Sequence, residues 1–174
     1  MNIFATIENA ITYEKVTFYT VRLEGQQYTE FEKFILKHQD NDTVHNEYHD
    51  LLSLIQRLGE RIGAKERYFS RHEKKAQALP PEWKSLPLGE RKLHVKYQHN
   101  LRLYCMRITD EIVFLFDGGV KSPGAITAQD CKNVRQFFKL ANQFAAAIEK
   151  SIIEKDIIPK GVYLEFDDDF ELEI

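Results

Sequence analysis

The chain has 174 residues, 43% of them apolar and 29% charged, with a formal charge of −3. That length and balance suit one globular domain with a sizeable core and exclude a disordered chain. The lone cysteines Cys105 and Cys131, without CxxC spacing, exclude a disulfide framework and a cysteine zinc site. The expected setting is a reducing cytoplasm. The N-terminus has no basic stretch followed by a long apolar run, and no window has the ~18 apolar residues of a membrane span, so no membrane partner is expected.

Taken in chain order, Met1 to Tyr13 shows no clear period. Val16 to Leu23 is rich in β-branched and aromatic residues and reads as a strand. Thr29 is placed to cap a helix with Phe31, Phe34 and Ile35 on its apolar side. A longer helix is predicted from about Val44 to Ile62, where Leu51, Leu54, Ile55, Leu58 and Ile62 recur at helical spacing and Gly63 is the stop. Ala64 to Leu88, with Pro80, Pro81 and Pro87, reads as a long irregular connection of the kind that carries function.

Three consecutive strands follow between Lys92 and Lys121. In the first, Leu93, Val95 and Tyr97 alternate with Lys92, His94 and Lys96; in the second, Leu101, Leu103 and Cys105 alternate with Arg102, Tyr104 and Met106. Ile112 to Phe116 is apolar on both faces and belongs inside a sheet. The reading is an antiparallel meander with an exposed basic face, and a loop at Gly118, Gly119, Pro123 and Gly124. Thr127 and Asp130 resemble a capping box opening a helix to about Glu154, whose stripe of Val134, Phe138, Ala141, Phe144 and Ile148 suits the apolar face of the sheet. The tail, 157–174, is an edge strand or a flexible arm. The fold class is therefore α+β, in the order β-α-α-β-β-β, with an antiparallel sheet of about four strands and a long C-terminal amphipathic helix.

The near-neutral total hides an asymmetry. Arg57 to Arg107 holds thirteen Lys/Arg against five acids, and Glu154 to Ile174 holds eight acids against two lysines. A basic middle suggests an anionic partner. Other patterns carry less. His45 and His49 are four apart on a helix, but Asn46 stands where HExxH needs Glu, so no metal is expected. Asp40-Asn41-Asp42 lacks the later Gly and Glu of a calcium loop, and Gly118-Gly119-Val120-Lys121-Ser122 lacks phosphate-loop spacing.

The basic sheet face is the stronger signal. Lys92, His94, Lys96, Arg102 and Tyr104 project from neighbouring strands, with Arg91 and Arg107 close by. Basic groups hold phosphates and rings stack on bases. Such a set also suits metal-free RNA cleavage: one group takes the 2′-hydroxyl proton, cations stabilise the pentacoordinate phosphate, and another group protonates the leaving oxygen. An RNA-binding or protein-binding module without catalysis is the alternative.

The run Leu101-Arg102-Leu103-Tyr104, a hairpin, Ile112-Val113-Phe114-Leu115-Phe116 and a Gly/Lys loop resembles the core of the RelE/ParE toxin superfamily, particularly its HigB-like branch. The resemblance implies one RelE-like domain over 1–174 with an acidic tail at 157–174. It implies a toxin of a type II toxin–antitoxin pair, an mRNA endoribonuclease acting on the ribosome, with a cognate antitoxin protein and no cofactor. It places a phosphate-binding arginine at Arg102 and the loop lysine at Lys121. Tyr104 and His94 are then the candidates for stacking or proton transfer, and Lys92, Lys96, Arg91 and Arg107 for RNA binding. The long final helix and the acidic tail extend beyond the family's usual ending.

Overall fold

The structure is a computed structural model that describes residues 1–86, 88–91, 100–122 and 132–174. Its centre is a mixed seven-stranded sheet of order β3-β4-β5-β6-β2-β1-β9, formed by β1 (Phe4–Thr12), β2 (Thr17–Leu23), β3 (His72–Glu73), β4 (Ala76–Leu79), β5 (Leu101–Thr109), β6 (Ile112–Val120) and β9 (Leu172–Glu173). A separate small hairpin joins β7 (Ile158–Lys160) to β8 (Tyr163–Glu165). Three helices of some length cover the sheet: α1 (Glu30–His38), α2 (His45–Arg57) and α4 (Lys132–Ile153); α3 (Leu88–Arg91) is one short turn. Among the described residues no helix is long and apolar enough to cross a membrane.

Local chemistry sets the helices. The Thr29 side chain accepts from the Glu32 N–H while Glu32 accepts from the Thr29 N–H, a complete capping box at the start of α1. The second helix ends in one π turn, Leu58–Ile62, and stops at Gly63, whose φ of 85° lies in the left-handed region.

Each sheet face has its own core. On one, Phe34, Tyr48, Leu51 and Leu54 from α1 and α2 meet Phe18, Leu103, Val113 and Leu115. On the other, Val134, Phe138, Phe144 and Ile148 from α4 meet Tyr19, Tyr104, Phe114 and Phe116. The core strands are thus buried on both faces, and the exposed basic face expected for the strand at 101–109 does not exist: Arg102 is 6% exposed and Tyr104 is fully buried. The alternation is right, but the final helix covers the polar face of β5 rather than its apolar face.

Four other expectations are corrected. Among the described residues the sheet has seven strands rather than about four: β1 and the β3–β4 hairpin come from segments without a strand period, and β9 comes from the tail, for which an edge strand is one of the two readings. It is mixed, since β2 runs parallel to β6 over Thr17–Tyr19 and Ile112–Phe114. The supposed connection at 64–88 includes the β3–β4 hairpin, fixed from outside by Asn142 of α4, whose Oδ1 accepts from the Lys75 and Ala76 N–H groups at 2.8 and 3.0 Å. Gly118 and Gly119 are in strand β6, not in a loop. The strand expected at 92–97 and the capping residues Thr127 and Asp130 lie outside the described residues.

Two register shifts shape the central hairpin. Leu103 faces Gly118 and Cys105 faces Leu115, so Phe116 and Asp117 together oppose Tyr104 alone. Such a bulge re-aims the side chain it carries, here Asp117, toward α1. A Cβ on Gly118 would stand 1.8 Å from the Arg102 carbonyl oxygen, so this close approach requires glycine. Gly118→Ala is expected to lower stability by ~3 kcal/mol or more, read by urea denaturation. Gly89→Ala, which meets nothing within 4 Å, serves as the neutral comparison.

Candidate functional site

Charged groups gather at the end of the sheet where β5 begins and β6 ends. Arg102 lies opposite Gly119, and the Lys121 N–H donates to the Asn100 carbonyl at 2.7 Å, so the two strands deliver Arg102 and Lys121 to one end. Glu47 of α2 fixes that end: its Oε2 accepts from the Asn100 and Leu101 N–H groups at 2.9 and 2.8 Å. Arg71 and Glu73 arrive with the β3–β4 hairpin. The Arg71 carbonyl accepts from the Ala78 N–H at 2.9 Å, and its Nε donates to the Pro80 carbonyl at 3.0 Å. Since Ala78 pairs with Tyr104, this anchors Arg71 beside the residues of β5.

The electrostatics tie these groups together. Burial, and then the neighbouring Arg71 charge, push Arg102 down to about 10, with Tyr104, Glu73 and Glu47 acting the other way. Burial also lowers Arg71, against the pull of Glu82, Glu73 and Tyr104. Burial raises Glu73, and Lys121, Arg102 and Arg71 oppose the rise. Two guanidinium groups share a desolvated place near the carboxyls of Glu73, Glu47 and Glu82 and the Lys121 ammonium; burial penalises both charges, and the Arg71 charge adds to it at Arg102. Perturbed ionisable clusters of this kind are where functional sites are sought.

The residues expected from the sequence divide. Arg102 and Lys121 come together. Tyr104 joins them through the electrostatic reach of its hydroxyl on Arg71 and Arg102, but its ring packs edge-on against Phe138, with centroids 6.3 Å apart, so it is no platform for a base. Arg107 is not in the cluster. It lies five residues along β5, ~17 Å away, where its Nε donates to the Ala64 carbonyl and its Nη2 to Asp110. It ties the Gly63–Ala64 corner to the hairpin turn. Lys92, His94, Lys96 and the Arg91 side chain lie outside the described residues. Arg71 and Glu73 were hidden in the sequence by the irregular 64–88 stretch, where only the density of basic residues drew attention.

A second polar cluster lies between α1 and β6. Lys37 reaches Asp117 at 2.7 Å and the Gly118 carbonyl at 2.7 Å, and lies 3.6 Å above the Phe137 ring. Glu30, 2% exposed, accepts from Lys33 at 2.7 Å. Burial raises both Glu30 and Asp117. His38 is next to this set with both ring nitrogens inaccessible to water. Burial, then the Lys37 charge, push it down to about 4. His45 and His49 stand with ring centroids 4.4 Å apart on α2, and among the described residues no group of three or more His, Cys, Asp or Glu is placed to hold a metal. No protein-family model, curated protein or solved structure matches the chain.

Two outcomes are expected. Arg102→Met keeps volume and removes the buried like charge, so it should melt no lower than the wild type; a large drop in melting temperature would mean that the guanidinium is structural. His38 is neutral in the folded protein and takes a proton on unfolding below pH ~6.5. Its contribution is therefore full above that pH and is lost as pH falls toward the folded value of about 4, by up to ~3 kcal/mol. Glu30 and Asp117, raised on folding, act in the opposite sense at the acid end of the range. Denaturation of wild type and His38→Gln at pH 7, 6 and 5 should show the steeper loss in the wild type.

Proposed function

We propose that the protein is an RNA-cleaving toxin of a toxin–antitoxin pair, with its site at Arg71, Glu73, Arg102, Tyr104 and Lys121. One observation carries this reading: Arg71, Arg102 and Lys121 converge beside Glu73 at the end where β5 begins and β6 ends, where burial disfavours both guanidinium charges and the Arg71 charge further disfavours that of Arg102. An anion placed among them relieves that repulsion, and a backbone phosphate is the anion that the likeness of Leu101–Phe116 to the HigB-like core suggests.

In this reading Arg71, Arg102 and Lys121 hold the phosphate. Glu73, raised by burial, takes the proton from the adjacent 2′-hydroxyl. That oxygen attacks phosphorus, the cations stabilise the charged pentacoordinate state, and the P–O5′ bond breaks to leave a 2′,3′-cyclic phosphate. The Tyr104 hydroxyl is as buried as its ring, so the leaving 5′-oxygen takes its proton from solvent. The burial of that ring favours a second reading, an RNA- or protein-binding module without catalysis. An adjacent gene for a small helix-turn-helix antitoxin would support the toxin reading.

Titration of single-stranded RNA at rising salt should show affinity falling steeply, with Arg71→Gln weakening binding and reducing the salt slope by about one. Glu73→Gln should keep RNA affinity and lose ~10²–10⁴ in cleavage on translating ribosomes. Binding by the wild type with intact mRNA leaves the binding-module reading in place. Absence of binding at low salt overturns both RNA readings.

A further inference from the structure

The outer edge of β1 has two occupied rungs followed by open ones. β9 pairs only with Phe4 and Ala5, and the Ile174 N–H donates to the Ile3 carbonyl at 2.8 Å. On the inner side the Glu24 N–H donates to the Phe4 carbonyl at 2.9 Å. Alternation then sends the backbone groups of Ile7 and Asn9 outward, and among the described residues no strand pairs with them on that side. Edges of this kind are commonly blunted by Lys or Pro; Thr6–Thr12 (TIENAIT) has neither, and only the bulge after Asn9 limits it.

Beside this edge is a groove of about 420 Å³ between β1 and the start of α1, walled by Glu8, Ala10, Tyr28, Phe31, Ile35 and Leu36. Tyr28 and Leu36, 42% and 49% exposed, stand together on its wall. Glu8 and Glu32 border the groove, with Glu8 held by Arg22, whose Nε and Nη2 donate to its two carboxylate oxygens. Glu171 shares a shallow pocket with Thr6 and follows the exposed Asp167-Asp168-Asp169 run in the acidic tail that leads into β9.

We propose that the open β1 edge takes up a basic, extended peptide segment of a partner protein as an added antiparallel strand. Such a strand continues the line that β9 begins. Its backbone meets Ile7 and Asn9, its apolar side chains enter the groove, and its lysines or arginines face Glu171 and the acidic tail leading into β9. The proposal is independent of the phosphate cluster and uses the acidic tail, which that reading leaves without a role.

The test uses the full chain and two capped peptides, one of four Lys-Val repeats and one of four Glu-Val repeats, followed by anisotropy and by amide chemical shifts. The basic peptide should bind at least roughly tenfold more tightly than the acidic one, with shift changes concentrated at Ile7–Thr12. Asn9→Pro, which removes an outward N–H, should abolish binding. In case that variant does not fold, Glu171→Lys and Leu36→Lys, both at exposed positions, should each weaken it severalfold. Equal affinity for the two peptides, shift changes remote from β1, or concentration-dependent dimers whose interface is β1 would overturn the proposal.

Discussion

Three residue pairs hold the two halves of the sheet together. β2 lies beside β6 only from Thr17–Ile112 to Tyr19–Phe114. Beyond that the strands part, β2 staying with β1 and β6 with β5. A parted sheet exposes backbone groups that must find partners, and α1 bridges the opening. Its Phe31 N–H donates to the Thr20 side-chain Oγ1 at 3.1 Å on one side, and its Lys37 donates to the Gly118 backbone carbonyl on the other. The bulge at Phe116 and Asp117 gives Lys37 its counter-charge. Short parallel pairing, capped helix, bulge and half-buried ion pair are therefore one arrangement, and it sets where β6 ends and Lys121 begins.

That arrangement decides what sequence reading could find. Elements specified by their own residues were legible. The Thr29 cap, the period of α2, the Asp110-Glu111 turn and the doubly apolar Ile112–Phe116 all carry local signals, and each appears where expected. Elements specified from a distance were not. Ala76–Leu79 has no β-branched residue and becomes a strand because Asn142 and β5 hold it. The tail, by contrast, was legible in part: Leu172–Glu173 is an edge strand on β1, one of its two readings. The exposed face expected for Arg102 failed for the same reason: alternation tells which side chains share a face, but not whether a helix from elsewhere covers it.

The candidate site has the same divided legibility. Arg102 and Lys121 were marked by a motif within one hairpin. Arg71 and Glu73 reach them only through a hairpin whose position is set by non-local pairing. Their assembly gives the site its chemical character, since burial first and the Arg71 charge second disfavour the charged Arg102.

The most direct measurement of that central claim is the melting temperature of the full chain in increasing inorganic phosphate, with ionic strength held constant by chloride. An anion that binds only the folded state raises stability as RT ln(1 + [L]/Kd). The account predicts a rise with phosphate for the wild type that is strongly reduced in both Arg71→Gln and Lys121→Gln. Identical rises in all three proteins, or none in the wild type, would contradict it.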